Sequence, residues 1–487
     1  MAADKDKNRL GALFASHTAA VAIESSPATA PQRAPSSDTP INVAQKSSSR
    51  FAFTCLYLFT MMLYIRPNDI LPIGAFPLVK IVAILMLIAY IGSKISLGEP
   101  IMIWPLEMKM LAVIVLLGII FTPISVSPML SVETLTDSFF KVVSIFILII
   151  NLIDSRERLR SLMKLVVVCG TIVALGTVKS YFAGELVTDA AKSLERAAGQ
   201  GFFANPNELA MALNLLLPFA VVFGLTSKGM KRLAYFACAG ILSFGVVVSF
   251  SRGGFLGLVA LGGVIMWKAG RGKRATTVLA GLVLCCAFVV AMPSGYSDRL
   301  FTILHTQNDQ TRSAQERQEL FARAVEVIMY HPVIGVGVGN FGIYSLKDKV
   351  AHNAYLEIAA ELGVVGFIAY MVLIFAPLRT LKRIERETYN TRAGPHGWNE
   401  RERETYFLSI GLQAVLVAYM VCSFFQSSQY FWYLYYIVAY TVSLKRIRIN
   451  EAIASSSKAN TANDSANAAV LQTANGALWE TTKRGVA

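Results

Sequence analysis

The sequence predicts an all-α polytopic membrane protein, and three observations carry that expectation. Of the 487 residues, 54% are hydrophobic and only 16% charged, a balance foreign to soluble domains of this size. The apolar residues gather in about twelve segments, each near the roughly 20 residues that cross a hydrocarbon core. Basic residues then fall in short runs between alternate segments, the pattern of a chain whose cytoplasmic loops are positive.

In order, the segments are 51–65, 74–92, 105–124, 138–153, 161–182, 207–226, 232–250, 253–269, 274–293, 354–377, 406–425 and 429–447. Helices are the sensible spanning form, because an open sheet would leave backbone groups unpaired in lipid. Cys55, Cys169, Cys238, Cys285, Cys286 and Cys422 all lie inside apolar stretches, so they read as small core residues and not as a disulfide framework.

With a cytoplasmic N-terminus, the inward loops hold Arg156, Arg158, Arg160 and Lys164, then Lys228, Lys231 and Arg232, then Lys268, Arg271, Lys273 and Arg274. Residues 378–405 add Arg379, Lys382, Arg383, Arg386, Arg392, Arg401 and Arg403. The net charge of +14 is therefore a topology signal, and no nucleic-acid partner is implied. Residues 1–50 lack apolar periodicity and read as a disordered cytoplasmic tail, as do 449–487. The first apolar run starts only at Phe51, which speaks against a cleavable signal peptide. Spans one to nine thus occupy 51–293 and spans ten to twelve 354–448.

Between them, 294–353 is an outward loop of about 60 residues, long for a connection without a purpose. Within it "SAQERQELFARAVEVIMYHP" predicts an amphipathic helix. Ser313 and Glu316 have capping-box spacing, and Pro332 marks the stop. Phe321, Ala324, Val325 and Ile328 form the expected apolar stripe, opposite Glu319, Arg323 and Glu326. Glu319 and Arg323 have the spacing of an ion pair. Arg317 heads the stripe, so a helix lying on the membrane-domain mouth would point it inward.

Polar residues at the outward ends are the candidates for chemistry. Arg252, in "SFSRGGF", sits where the seventh span turns into the eighth, and an arginine so near hydrocarbon needs a partner or a wet cavity. The bland reading is an interfacial arginine that snorkels. The two glycines after it suit a tight turn or a close ligand. Arg317 alone reads equally well as part of a solvated face. His352 and Asn353 open the tenth span, and Asn353, Glu357 and Glu361 share one helical face that must look into protein; a plain helix-entry histidine with tethering glutamates is the structural alternative. Lys80, Lys141 and Lys179 lie at outward ends, and Asn205, Asn207 and Glu208 open the sixth span. Such cations around one cavity would suit an anionic ligand, a diphosphate above all, although lysines there also snorkel. No outward Asp-x-Asp or His/Cys cluster suggests a metal, no Walker loop is present, and "GVGVGN" (335–340) reads as a plain loop.

Taken together, "NPNELAMALNLLLPF", "SFSRGGFLGL", "RQELFARAVEVIMYHPVIGVGVGNF" and "HNAYLEIAAELGVVGF" resemble the O-antigen ligase and polymerase-like membrane glycosyltransferases over roughly residues 200–370. "MMLYIRPNDILP" looks like the ligase-like members from exopolysaccharide producers. The resemblance implies a GT-C type helical fold in the bacterial inner membrane, with both termini cytoplasmic and the active site periplasmic. It implies a polyprenyl-diphosphate-linked glycan as donor and a glycan, lipid or protein hydroxyl as acceptor. By resemblance Arg252 and Arg317 hold the diphosphate and His352 acts as base, without metal or cofactor. Phe321 stands where a tryptophan is common in the family. Asn353, Glu361, Asn207, Lys80 and Lys179 are the expected substrate-binding residues beside them. A chain polymerase of the same family is equally compatible with these residues. A transporter of lipid-linked glycans fits less well, since no internal repeat is found and the polar residues gather on one side.

Overall fold

The computed structural model describes residues 49–65, 77–184, 187–189, 194–196, 203–271, 275, 279, 281–282, 296, 313–345, 348–391 and 398–457. The early helices are α1 (Arg50–Ile65), α2 (Leu78–Leu97), α3 (Leu106–Phe121), α4 (Pro128–Leu152), α5 (Arg156–Ala183), α6 (Pro206–Thr226), α7 (Gly229–Val248) and α8 (Arg252–Ala269). After these come α9 (Ser313–Tyr330), α10 (Ala354–Thr391), α11 (Glu400–Ser423) and α12 (432–457). Among the described residues eight helices, α2 to α7 with α10 and α11, are long and apolar enough to cross a membrane, and α1 is a shorter apolar helix. Helix falls on eleven of the twelve expected segments; 274–293 lies largely outside the described residues. One hairpin departs from the all-α expectation, pairing Val187–Asp189 with Leu194–Arg196.

The helices start and stop for local reasons. The side chains of Ser155, Asn205, Ser251 and Asn399 accept from the backbone N–H of Arg158, Asn207, Gly254 and Glu402, the N-cap contact that polar short residues supply. Gly98 and Gly184 end α2 and α5 at φ 63° and 71°. Helix α6 is the hub: every residue from Leu209 to Ala220 is buried, as a run apolar on all sides but for Asn214 requires. At the periphery, Ile84 and Ile88 of α2 are 58% and 62% exposed, the surface a bilayer would cover.

Glycines set the close packing. A Cβ on Gly254 would stand 2.5 Å from that of Ala210, and one on Gly257 2.4 Å from Cys422 Sγ. Gly254 and Gly257 therefore bring α8 against α6 and α11. Of the two uses expected of the glycine pair, a tight turn or a close ligand, the turn falls instead to Phe250, at φ 52°.

Two boundaries also differ from expectation. Helix α12 continues through 457, past the expected start of the tail at 449, because Arg448 pairs with Glu387 at 3.1 Å and Arg156 with Glu451 at 2.6 Å. Helix α4 begins ten residues before the expected 138, at Pro128, and passes through a π segment, Thr134–Phe139.

The basic loops meet at one end of the bundle. Arg403 donates to the Leu225 carbonyl at 2.7 Å, Tyr406 to the Lys268 carbonyl at 3.2 Å, and Arg160 pairs with Glu404 at 2.8 Å. The opposite ends of these same helices carry the candidate residues.

Helix α10 is broken. Gly363 adopts φ 64°, ψ −167°, and "GVGVGN" docks at the break. Val336 and Gly337 donate to the carbonyls of Ala360 and Glu361 at 2.9 and 3.0 Å, and Val364 donates to Pro332 at 2.8 Å. The interruption thus leaves its backbone groups satisfied. On its other side the loop grips the α3–α4 connection: Asn340 donates to Ser131 at 2.7 Å and accepts from the Ser127 N–H at 2.7 Å. The segment is a structural joint, which its reading as a plain loop missed.

Candidate active site

Asn207 near the start of α6, Ser251, Gly253 and Gly254 at the start of α8, Arg317 of α9, Cys422 of α11, and Phe425 and Gln426 beyond it line one cavity. Its walls are fastened together. The Ser251 hydroxyl donates to Asn207 Oδ1 at 2.8 Å and accepts from the Gly254 N–H at 3.1 Å. Asn214 donates to the Gly254 carbonyl at 2.7 Å, and the Cys422 thiol lies 3.7 Å from that of Gly253.

Arg317 thus shares a cavity with the residues on both sides of Arg252. The two arginines are partly buried and both are engaged by other groups of the chain. His352 belongs to the segment leading into α10. The N–H of Ala354, two residues on, donates to the carbonyl of Gln426 at 3.1 Å, so this segment is tied to the cavity wall. His352 itself sits at φ 51°. A non-glycine residue in the left-handed region is uncommon and costs strain, and such residues cluster at functional sites.

The neighbours of His352 are fixed on both sides. Asn353 caps α10, its side chain accepting from Tyr355 and Leu356 N–H at 3.0 and 3.1 Å. Glu357 accepts the Ala351 N–H at 2.9 Å, the Gln429 amide at 3.0 Å, and the Ser427 hydroxyl. Glu361 accepts from Tyr430 Oη at 2.7 Å and from the Phe341 N–H at 3.4 Å. Asn353, Glu357 and Glu361 are all buried. The two carboxylates inside this apolar helix therefore clamp the Ser427–Tyr430 turn and the Gly-rich loop around the head of α10.

Helix α9 presents a face rotated from the expected one. Leu320, Ala324 and Val327 are buried, whereas Phe321 and Val325 stand exposed. The docking partners, α10 and the Phe341–Tyr344 turn, meet the helix about one residue round from the stripe chosen by periodicity. Arg317, partly buried, stays on the packed side. Arg323 pairs with Glu326 at 2.6 Å and donates to the Tyr344 carbonyl at 2.6 Å, in place of the expected pair with Glu319. Glu316, expected in a capping box, forms an ion pair with Lys349.

Lys80 and Lys179 are exposed and do not line the cavity. Lys141 is also exposed, 3.6 Å from Asp137. Three lining residues, Cys422, Phe425 and Gln426, escaped the sequence reading. The signal that could have found them is the polar run "QSSQ" interrupting apolar residues at the outward end of α11. Among the described residues no group of three His, Cys, Asp or Glu could hold a metal ion.

Residues 237–371 match the family model described as O-antigen ligase. The matched region runs from α7 to the middle of α10 and includes Arg252, Arg317, His352, Asn353 and Glu361. Asn207, Lys80, Lys179 and Gln426 lie outside it. No curated protein matches the chain.

Proposed function

We propose, for a membrane protein whose residues 237–371 form an O-antigen ligase-type domain, that it is an inverting, metal-independent glycosyltransferase. It moves a glycan from a polyprenyl-diphosphate carrier to an acceptor hydroxyl at the periplasmic face of the inner membrane. One observation carries this reading: Arg317 and the Ser251–Gly254 turn line a single cavity, and the segment holding His352 is bonded to its wall at Gln426. The ends of the helices remote from that cavity collect the basic loops, as a cytoplasmic side should.

The chemistry follows from the residue types. The acceptor oxygen attacks C1 as the bond from C1 to the diphosphate oxygen breaks, and the electron pair leaves with the diphosphate. That leaving group needs charge stabilisation more than a proton, which the guanidinium forks of Arg252 and Arg317 supply. The acceptor does release a proton, and the imidazole of His352 takes it. A single displacement inverts C1. Asn207 and Asn353 hold the neighbouring walls in place, Glu361 does so from beneath, and Lys80 and Lys179 would meet the donor only at the margin.

Reconstitution tests this with a polyprenyl-diphosphate glycan, candidate acceptors, and wild type beside His352→Ala, Arg252→Lys and Arg317→Lys. Loss of general-base help is worth about 10²–10⁴-fold, so His352→Ala should be nearly inactive yet folded. Transfer at wild-type rates in all three variants would falsify the assignment. The product decides between ligation and chain polymerisation: a ligase frees the carrier from a finished glycan, whereas a polymerase lengthens the carrier-linked chain.

A further inference from the structure

Gln426 lies in the cavity wall with Arg317 and the Ser251–Gly254 turn. The residue is buried, at 8% exposure, yet its amide nitrogen has no hydrogen-bond partner. Neighbouring groups are engaged. Its own carbonyl takes the Ala354 N–H, Ser427 and Gln429 donate to Glu357, and Tyr430 donates to Glu361. Within this turn only the Gln426 amide nitrogen and Gln429 Oε1 stay unpaired, and of the two residues only Gln426 shares the cavity wall with Arg317. Native proteins seldom leave such a donor unmet, and one that lines a cavity can be met by what enters it.

The company it keeps tells which partner. Among the described residues the cavity lining contains a guanidinium, the first turn of α8 and this amide, and no carboxylate. The Ser251 hydroxyl and Asn207 Oδ1 are already spent on one another. An N-terminal helix turn beside an arginine favours anionic oxygens, so the surplus of donors calls for a ligand rich in acceptors. We propose that Gln426 is a donor-substrate-binding residue whose side-chain amide donates to a diphosphate oxygen of the carrier-linked glycan, beside Arg317. This rests on the reading of the site as a polyprenyl-diphosphate-dependent transferase. It adds a ligand from the α11–α12 turn, outside the region matched by the family model.

The test uses the full-length protein in lipid nanodiscs, with Gln426→Ala and the isosteric Gln426→Glu. Binding of polyprenyl diphosphate and of polyprenyl monophosphate is titrated, and donor and acceptor KM are measured with kcat. The loss of one hydrogen bond to a charged oxygen is worth about tenfold. Both variants should therefore weaken diphosphate binding and raise donor KM by about tenfold, with Gln426→Glu the worse because it adds a like charge. Acceptor KM, the unfolding temperature and the weaker monophosphate binding should stay near wild type. Wild-type diphosphate affinity and donor KM in both variants would overturn the assignment, as would a fall in unfolding temperature with no change in donor KM. A wild-type protein that transfers no glycan and binds no polyprenyl diphosphate would instead remove the transferase reading itself, and this inference with it.

Discussion

The amide of Ala351 donates to the carboxylate of Glu357 at 2.9 Å, so the residue immediately before His352 is held by a side chain from the first turn of the helix that follows. The same carboxylate receives Ser427 and Gln429 and thereby joins the histidine segment to the turn that carries Gln426. Glu357→Gln keeps the shape but replaces one acceptor oxygen by a donor. At least one of the three groups then loses its partner, at a cost of about 1–3 kcal/mol. The expected outcome is a lower unfolding temperature in detergent and a fall in kcat of about tenfold or more, with acceptor KM little changed. A variant equal to wild type in both kcat and unfolding temperature would show that the clamp does not position His352.

The Gly-rich loop makes a second prediction. Gly335 has φ 72°, and a Cβ there would stand 2.4 Å from the backbone carbonyl of Glu361. Left-handed strain alone costs about 1–3 kcal/mol, and the approaching atoms are backbone that cannot swing away. Gly335→Ala should therefore reduce the yield of folded protein and lower its unfolding temperature sharply. Gly92, in α2, has nothing within 4 Å of its Cβ position, and Gly92→Ala should leave stability equal or raised by about 0.5–1 kcal/mol. The two variants are compared by unfolding in the same detergent.

Hydropathy and charge made the spans legible, because lipid and the positive-inside bias act on each segment separately. Arg252 and His352 stood out for a related reason: a costly polar residue at a span's end is visible without knowing its neighbours, whereas Arg317 drew attention only by its place at the head of the loop helix's stripe. What failed was what depends on a distant partner. Periodicity defines the apolar side of α9 only to within about one residue's rotation, 100°, and the docking of α10 selected Leu320 over Phe321. The use of Gly335, Gly337 and Gly339 is set by Glu361, Ser125 and Thr134, none of which is close in sequence. Gln426 and the Ser427–Tyr430 turn carry meaning only once Glu357 and Glu361, about seventy residues earlier, are known to hold them.

At the end of the bundle remote from the cavity, Glu385 is 2% exposed and binds Lys268, Arg271 at 3.1 Å and Gln413 at 2.9 Å. Removing one member of a buried charge cluster strands the others, typically at about 3–5 kcal/mol. Arg271 is 41% exposed and can turn to water, so Glu385→Ala should fall at the low end, about 3 kcal/mol. Arg383 and Glu387, 74% and 49% exposed, should contribute less than about 1 kcal/mol, and Arg383→Ala is the control. Because this cluster lies away from the cavity, folded Glu385→Ala protein should keep its donor KM. A raised donor KM would show that the two ends of the bundle are coupled.

The approach of α8 to α11 gives the last prediction, and a compensating change tests its cause. A Cβ on Gly257 would lie 2.4 Å from the Cys422 sulfur and 3.1 Å from the Asn214 amide. Gly257→Ala must therefore push α11 outward or force Cys422 into another rotamer, and overpacking of this kind costs about 1–3 kcal/mol. Cys422 lines the cavity, so the displacement should also be felt as a higher donor KM. Replacing the sulfur by nothing, in Cys422→Ala, opens the space the new methyl needs. The double variant Gly257→Ala with Cys422→Ala should then unfold closer to wild type than Gly257→Ala alone, a coupling that a double-mutant cycle measures directly. Strict additivity of the two changes would mean that the glycine is required for some reason other than the contact with this sulfur.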